Sequence, residues 1–239
     1  GTIVIADDHD NISAMFERHN ITHVSLVPTQ LARLCANENV LSKLRNLKAI
    51  LVGGSSIPQL LLQNSLKNKL PIYTTYGLTE MASQVATGKY SMSAKVLKYR
   101  NVKISKEGEI LVRGDTLFSG YIDGDTLHRP LTVDGWFETG DFGYQTEDGG
   151  LIITGRKDNM FISGGENIQP EEIEQWLNRL DSIEQTIVVP VRNDEFGFRP
   201  VAFIKTIAGA SLHKADLDGF LERHLPRFKI PDQFYHWPD

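Results

Sequence analysis

The chain has 239 residues, of which 41% are hydrophobic, so it is long enough to bury a core and to form one or two domains. Its formal net charge is −5, which argues against a nucleic-acid-binding surface. The sequence contains no signal peptide and no long uncharged apolar run, so we expect a cytoplasmic protein without a membrane span.

The first part of the chain predicts helices that alternate with strands. Helical stripes and short apolar strands follow one another at 12–16, 23–27, 31–35, 47–51, 60–61 and 72–75. This alternation is typical of a parallel sheet covered by helices. The single cysteine, Cys35, lies in an apolar helical stripe, so we predict a core residue and not a nucleophile.

Two polar motifs follow predicted strands in this part. Gly53, Gly54 and Ser55 end one strand and precede a helix, a place where backbone donors commonly meet a nucleotide. The string T-T-Y-G-L-T-E ends at Glu80 and follows the next strand. It offers a flat amphipathic ring, small hydroxyl groups and a hard oxygen ligand suited to a hard cation.

The middle of the chain changes character. Residues 102–144 alternate in polarity and are punctuated by glycine, which predicts a small antiparallel β subdomain. Within T-G-D, Asp141 lies on a predicted tight turn, where a carboxylate can accept hydrogen bonds from two adjacent ribose hydroxyls. Arg156, in G-R-K-D, offers a planar fork of donors that suits a ribose oxygen or a phosphate.

The last part of the chain predicts an α+β module. From residue 159 onward we expect a loop, a helix that begins at Pro170, strands at 183–190 and 200–206, and a helix at 217–225. The loop contains S-G-G, which can turn sharply and admit a ligand close to the backbone.

These motifs occur in a fixed order that resembles the adenylate-forming acyl-CoA synthetases. The resemblance covers T-T-Y-G-L-T-E, T-G-D, G-R-K-D and S-G-G-E-N-I-Q-P-E-E-I-E. It implies an α/β fold in which residues 1–157 are the C-terminal part of the large nucleotide- and acyl-binding domain, with its small antiparallel β subdomain. Residues 158–239 would be a mobile small α+β C-terminal domain that turns about a hinge at Asp158.

The resemblance also implies a role for individual residues. The nucleotide-binding residues would be Gly53, Gly54, Ser55, Thr75, Tyr76, Gly77, Thr79, Asp141, Ile153 and Arg156. The acyl substrate would contact Gly77, Leu78, Met81, Ser83 and Gln84, and CoA would contact Ser163, Gly164 and Gly165. The catalytic set would be Thr79, Glu80 and the hinge residue Asp158, with Glu80 also binding Mg²⁺.

The activity implied is the ligation of a carboxylic acid to CoA through an acyl-adenylate, with ATP, AMP, Mg²⁺ and CoA as cofactors and substrates. Three strings together are most similar to the o-succinylbenzoate:CoA ligases of menaquinone biosynthesis: Y-G-L-T-E-M-A-S-Q-V-A-T, I-S-G-G-E-N-I-Q-P-E-E-I-E and V-P-V-R-N-D-E-F-G-F-R-P-V-A. Another aryl- or acyl-CoA ligase, an adenylation domain, and an inactive nucleotide-binding piece are the alternatives. The expected partners are small molecules, with a homodimer left open.

Two parts of the family pattern have no counterpart in the sequence. We do not find the phosphate-binding loop rich in Ser, Thr and Gly, or the catalytic lysine. We expect both to lie outside these residues, and residues 1–239 alone to form no acyl-adenylate, because the groups that stabilise the transferred charge would be missing.

Overall fold

The computed structural model describes residues 2–5, 12–90, 93–207, 210–211 and 213–237. Its helices are α1 (Ile12–Arg18), α2 (Pro28–Cys35), α3 (Glu38–Arg45), α4 (Gln59–Lys67), α5 (Pro170–Leu177) and α6 (Lys214–Leu221). None of the helices in these described ranges has the length and apolar composition needed to cross a membrane.

The strands divide into one large sheet and three small ones. The large sheet contains β1 (His23–Leu26), β2 (Ala49–Val52), β3 (Ile72–Leu78), β4 (Ser83–Lys89), β5 (Ala94–Val96), β6 (Arg100–Ile104), β7 (Glu109–Gly114), β10 (Phe137–Gln145) and β11 (Gly150–Arg156). The small sheets pair β8 (Tyr121–Asp123) with β9 (Thr126–His128), β12 (Phe161–Ser163) with β13 (Glu166–Ile168), and β14 (Ile183–Asn193) with β15 (Gly197–Thr206) and β16 (Gln233–His236).

The large sheet is mixed, with the strand order β1-β2-β3-β4-β5-β11-β10-β7-β6. Strands β1, β2 and β3 are parallel, and the pairs from β3 to β6 are antiparallel. The predicted α/β class is confirmed. The antiparallel strands predicted for the middle of the chain continue the same sheet, because β5 joins β4 to β11.

Helices α2, α3 and α4 pack with the parallel strands around one apolar core. Leu31, Leu44 and Ile50 are completely buried there. The sequence interpretation did not include α3, although its start carries a clear signal. The Asn37 side chain accepts hydrogen bonds from the N–H groups of Asn39 and Val40, over 3.0 and 3.4 Å, which caps the first turn.

The C-terminal module has an apolar core of its own. Helices α5 and α6 pack on the sheet of β14, β15 and β16, and Ile173, Leu217 and Leu221 are buried between them. Both predicted strands and both predicted helices of this module are present. The segment expected as a loop instead contains the β12–β13 hairpin, whose Ile168 is completely buried. The domain boundary at Asp158 stays a prediction.

Candidate functional site

Three side chains from different strands meet at the centre of the large sheet. The Tyr76 hydroxyl donates a hydrogen bond to Oδ2 of Asp141 over 2.7 Å, and Nη1 of Arg156 donates to Oδ1 over 2.9 Å. The contact with Arg156 follows from the register, because Asp141 and Arg156 are direct partners in the β10–β11 ladder. A carboxylate has about four lone-pair sites, so Asp141 retains the capacity to accept two further hydroxyl groups.

The turn that carries Asp141 is held by buried hydrogen bonds. The Thr139 hydroxyl donates to the carbonyl oxygen of Ile110 over 2.8 Å and accepts from the N–H of Asp141 over 3.0 Å. Gly140 between them has a φ of 72°, a left-handed conformation that favours glycine. Thr139 and Gly140 therefore fix the turn that presents the Asp141 carboxylate.

Glu109 supports the same turn from β7. Its Oε1 accepts from the N–H of Gly140 over 3.0 Å, and its Oε2 accepts from Nζ of Lys157 over 2.8 Å. The sequence interpretation missed Glu109, because nothing in its local pattern distinguishes it from an exposed strand residue. Its burial and its two partners show that it joins the Asp141 turn to the residue that precedes Asp158.

The protonation states of this cluster follow from burial and charge. Burial raises the pKa of the Tyr76 hydroxyl well above its usual value. The negative charge of Asp141 and the hydrogen bond from Tyr76 to Asp141 raise this pKa further. The charge of Asp141 also raises the pKa of Arg156. Tyr76 therefore remains a hydrogen-bond donor, and Arg156 a cation, throughout the physiological pH range.

Two cavities adjoin this cluster. The Tyr76 cavity, of about 650 Å³, is lined by residues that include Tyr76, Asp141 and Arg156. The Ser83 cavity, of about 580 Å³, is lined by residues that include Ser83 and Gln84. Gly54, Thr75 and Gly77 line both cavities. A ligand that extends from one cavity into the other would therefore pass these three residues.

Glycine is required where the two cavities meet. A Cβ atom on Gly77 would lie 1.9 Å from the carbonyl oxygen of Ser83, and one on Gly53 would lie 2.1 Å from Oγ1 of Thr75. Both neighbours belong to the sheet or its turn, so a larger residue would displace backbone or strand side chains. The glycines thus allow the walls of the two cavities to approach each other closely.

The Ser83 cavity offers hydrogen-bond donors. Oε1 of Gln30 accepts from the N–H of Val27 over 3.0 Å, and Oε1 of Gln84 accepts from the Thr87 hydroxyl over 2.9 Å. Each amide oxygen is engaged, and neither amide NH₂ group donates a hydrogen bond to the described residues, so both can donate to a ligand. Gln30 was not among the predicted site residues, although a glutamine at the third position of a helix that begins with proline can accept from the N-cap N–H, as in one half of a capping box.

The structure distributes the predicted nucleotide and acyl residues between the two cavities. Besides the shared residues, the Tyr76 cavity contains Ser55, Tyr76, Asp141, Ile153 and Arg156. The Ser83 cavity contains Gly53, Leu78, Thr79, Ser83 and Gln84. Met81 differs from the other predicted acyl residues, because its side chain is completely buried in the apolar core beneath the turn.

Glu80 lines neither cavity wall, and its carboxylate faces the β8–β9 hairpin. The Tyr121 hydroxyl donates to Oε1 of Glu80 over 2.6 Å, and this bond raises the pKa of Tyr121. Among the described residues there is no group of three or more His, Cys, Asp or Glu that could hold a metal ion. A single carboxylate nevertheless fits Mg²⁺, which proteins often bind through one or two carboxylates together with substrate phosphates and water.

Ser163 ends β12, Gly164 and Gly165 form the turn to β13, and none of the three lines either cavity. The Ser163 hydroxyl accepts from Nη1 of Arg199 over 3.3 Å, and the N–H of Gly164 donates to the carbonyl oxygen of Phe196 over 2.9 Å. Gly164 and Gly165 both have positive φ, 58° and 89°. The turn is therefore held within the C-terminal module, and it does not contact the Tyr76 cluster in this arrangement.

The C-terminal module instead reaches the Tyr76 cavity through α5. Glu171 and Gln175, which were not predicted as site residues, contribute to the wall of this cavity. Nε2 of Gln169 donates to the carbonyl oxygen of Arg156 over 2.7 Å. A Cβ atom on Gly155 would lie 2.3 Å from the same Nε2, so glycine is required for Gln169 to pack there.

Asp158 lies in the 3-10 turn Lys157–Asn159, which connects β11 to the C-terminal module. Its side chain is 80% exposed, and Oδ2 accepts from Nη2 of Arg156 over 3.3 Å. The neighbouring side chains are bonded in opposite directions, because Lys157 donates to Glu109 of the large sheet and Asn159 donates to Glu171 of α5.

Comparisons with known proteins agree with this geometry. Residues 1–122 match the family described as AMP-binding enzyme. A 2-succinylbenzoate--CoA ligase of Haemophilus influenzae is 44% identical over 226 residues, covering 91% of this chain and 49% of the relative. Among solved structures, E. coli MenE with a bound phenylether-linked analogue of OSB-AMS has a TM-score of 0.82 at 35% identity, covering 97% of this chain and 50% of that chain.

A second solved structure adds the nucleotide and the metal. O-succinylbenzoate coenzyme A synthetase from Bacillus subtilis, in complex with ATP and magnesium ion, has a TM-score of 0.74 at 28% identity, covering 94% of this chain and 50% of that chain. The chain thus spans about half the length of the relatives it matches. Since the family match covers residues 1–122 of 239, this chain belongs to the AMP-binding enzyme family, as its motifs predict.

Proposed function

We propose that the protein is an ATP-dependent o-succinylbenzoate:CoA ligase that works through an acyl-adenylate. The observation that carries the proposal is the Tyr76–Asp141–Arg156 cluster in one cavity, directly beside a second cavity that offers hydrogen-bond donors. The similarity to a 2-succinylbenzoate--CoA ligase and to MenE with a bound OSB-AMS analogue supports this choice of acid.

In this proposal the adenosine part of ATP occupies the Tyr76 cavity. Asp141 accepts hydrogen bonds from the two ribose hydroxyls, using the lone pairs that Tyr76 and Arg156 leave free. The Tyr76 ring stacks against adenine, while Gly54, Ser55 and Ile153 line the remaining walls. The rigid T-G-D turn fixes the ribose, which places the α-phosphorus near the junction of the two cavities.

The acid occupies the Ser83 cavity and reacts at this junction. One of its carboxylate oxygens attacks the α-phosphorus, and the bond to the bridging oxygen breaks as pyrophosphate leaves. Thr79 lines the cavity at that end and donates to the phosphate, since a fixed hydroxyl stabilises charge that develops in the transition state. Mg²⁺, held by Glu80 and the phosphates, would neutralise part of the phosphate charge.

The second step transfers the acyl group to CoA. A carboxylate oxygen is a poor leaving group, whereas AMP leaves readily from the mixed anhydride when the thiolate of CoA attacks the acyl carbon. We propose that the C-terminal module turns about Asp158 and brings the loop of Ser163, Gly164 and Gly165 to the junction. That motion would break the contacts of Arg156 with Gln169 and Asp158, which total two hydrogen bonds in the described structure.

A panel of acids tests the proposed function. Full-length protein with ATP, Mg²⁺ and CoA should form a CoA thioester fastest from o-succinylbenzoate, more slowly from benzoate and medium-chain fatty acids. A preference for a fatty acid would reject this acid but keep the ligase class. Absence of pyrophosphate release with every acid would reject the ligase class as well.

The variant Gln30→Glu tests the acyl cavity separately. It keeps an oxygen for the N–H of Val27 but replaces the free NH₂ group with a negatively charged oxygen. We expect the affinity for an o-succinylbenzoyl sulfamoyl-adenosine analogue to fall about tenfold, because a lost charge-assisted hydrogen bond costs about 1.5 kcal/mol or more. Affinity for AMP, which does not enter the Ser83 cavity, should be unchanged.

The partners in this proposal are the acid, ATP and CoA, which the protein would meet in the cytoplasm. The only macromolecular partner we consider is a second copy of the chain. Light scattering of the purified protein would detect such a homodimer.

A further inference from the structure

The β8–β9 hairpin brings a hydroxyl group to the carboxylate of Glu80. Tyr121 donates to Oε1 of Glu80 over 2.6 Å, although 41 positions separate the two residues. The N–H of Phe118 donates to the main-chain carbonyl oxygen of Glu80 over 2.7 Å. The segment from Phe118 to Tyr121 therefore holds Glu80 by its main chain and by its side chain.

Aromatic packing fixes the position of Tyr121. Its ring meets that of Phe118 edge-to-face, with centroids 4.8 Å apart, and Phe118 meets the buried ring of Phe137 at 5.4 Å. Such edge-to-face pairs stabilise the packing beyond the area that they bury. Although Tyr121 is 47% exposed, its hydroxyl is thus anchored to the core of the large sheet.

We propose that Tyr121 is a positioning residue for the divalent cation that Glu80 binds. The hydrogen bond occupies a lone pair of Oε1 and leaves Oε2 available to the cation. Carboxylates that bind metals are commonly oriented by such outer hydrogen bonds, and the loss of one lowers metal affinity about 10- to 100-fold. This inference rests on the proposed function, which assigns Mg²⁺ to Glu80.

The test measures how much Mg²⁺ strengthens ATP binding. Calorimetry on the full-length protein gives the dissociation constant of ATP in Mg²⁺ and in EDTA. We define the Mg²⁺ gain as the constant in EDTA divided by the constant in Mg²⁺. Tyr121→Phe removes only the hydroxyl and should reduce the gain at least about tenfold. AMP affinity in EDTA should stay as in the wild type, because Tyr121 does not line the Tyr76 cavity.

Two further variants make the result specific. Tyr144→Phe alters an exposed tyrosine of β10 whose hydroxyl has no hydrogen bond to the described residues, and it should keep the full gain. Glu80→Gln should abolish the gain, and adding Tyr121→Phe to it should have no further effect, because both changes act through one carboxylate.

The outcomes separate the inference from the proposed function. The positioning role would be overturned if Tyr121→Phe kept the Mg²⁺ gain of the wild type. It would also be overturned if the substitution lowered the affinities for AMP and ATP equally. If the wild-type protein itself shows no Mg²⁺ gain, the assignment of Mg²⁺ to Glu80 fails, and the inference fails with it. That result appears before any substitution is made, so the two failures cannot be confused.

Discussion

Asp141 and Asp158 both pair with Arg156, yet their surroundings differ sharply. The Asp141 side chain is 9% exposed and receives hydrogen bonds from Tyr76 and Arg156, at 2.7 and 2.9 Å. The Asp158 side chain is 80% exposed, and its contact with Arg156 is longer, at 3.3 Å. One guanidinium therefore makes a fixed contact on the sheet side and an easily broken contact on the C-terminal side. The comparison teaches that burial, and not the ion pair itself, distinguishes the proposed binding group from the proposed hinge residue.

The largest effect should come from removing the buried aspartate. We expect Asp141→Ala to weaken AMP binding by about 3 to 5 kcal/mol, because two hydrogen bonds from ribose to a charged acceptor are lost. Asp158→Ala removes the same charge from the exposed side of Arg156 and should change AMP affinity less than about fivefold. Calorimetry with AMP measures the affinity of the two variants. Similar losses of AMP affinity in both would contradict the distinction between Asp141 and Asp158.

The exposed aspartate should matter for motion instead. Asp158→Pro fixes φ at the proposed hinge, so one half-reaction should slow at least about tenfold more than the other. Pyrophosphate release measures adenylation, and transfer of the acyl group from preformed adenylate to CoA measures the second step. Equal losses in the two steps would argue that the turn at 157–159 is not the hinge.

Substitutions at Gly155 and Gln169 test the contact between the large sheet and the C-terminal module. Gly155→Ala would force the Gln169 side chain away from the carbonyl oxygen of Arg156. We expect a loss of about 1 kcal/mol in stability, as for one hydrogen bond. In a Gln169→Ala background the same substitution should cost less, because the displaced side chain is already absent. Chemical denaturation of the three variants measures this coupling, and strict additivity would contradict it.

The smallest effect concerns a half-buried carboxylate on the C-terminal side. Burial raises the pKa of Glu174, which accepts from the N–H of Val188 over 2.8 Å and lies near the charge of Glu171. A carboxyl group with a raised pKa in the folded state stabilises the fold fully below its unfolded pKa and loses that contribution as the pH rises through the folded value. Glu174→Gln should therefore gain stability relative to wild type as the pH rises from about 4 towards neutrality.

Thermal unfolding of Glu174→Gln and wild type at acidic and neutral pH checks this sign. The advantage of the glutamine variant should be present near neutral pH and should vanish in acid. An advantage of the same size at both pH values would show that the carboxylate does not titrate in this range.

Much of this architecture could be predicted from local sequence. Periodicity indicated the strands around the site, and the motifs singled out Tyr76, Asp141 and Arg156. The contact between Tyr76 and Asp141 could not be predicted from periodicity, because β4, β5 and β11 separate their strands in the sheet order. Glu109 and Tyr121 were missed for the same reason, since each acts on a residue that only the tertiary fold brings close.

The β10–β11 ladder ends at the pair of Asp141 and Arg156, and the chain turns towards Asp158 immediately afterwards. The proposed nucleotide site and the proposed hinge are therefore neighbours along the chain, with no helix or strand between Arg156 and Asp158. If an occupant of the Tyr76 cavity changes how firmly Arg156 holds Asp158, thermodynamic linkage requires the hinge arrangement to change the affinity for that occupant by the same factor. The guanidinium of Arg156 alone would then be enough to make the release of AMP depend on the orientation of the C-terminal module.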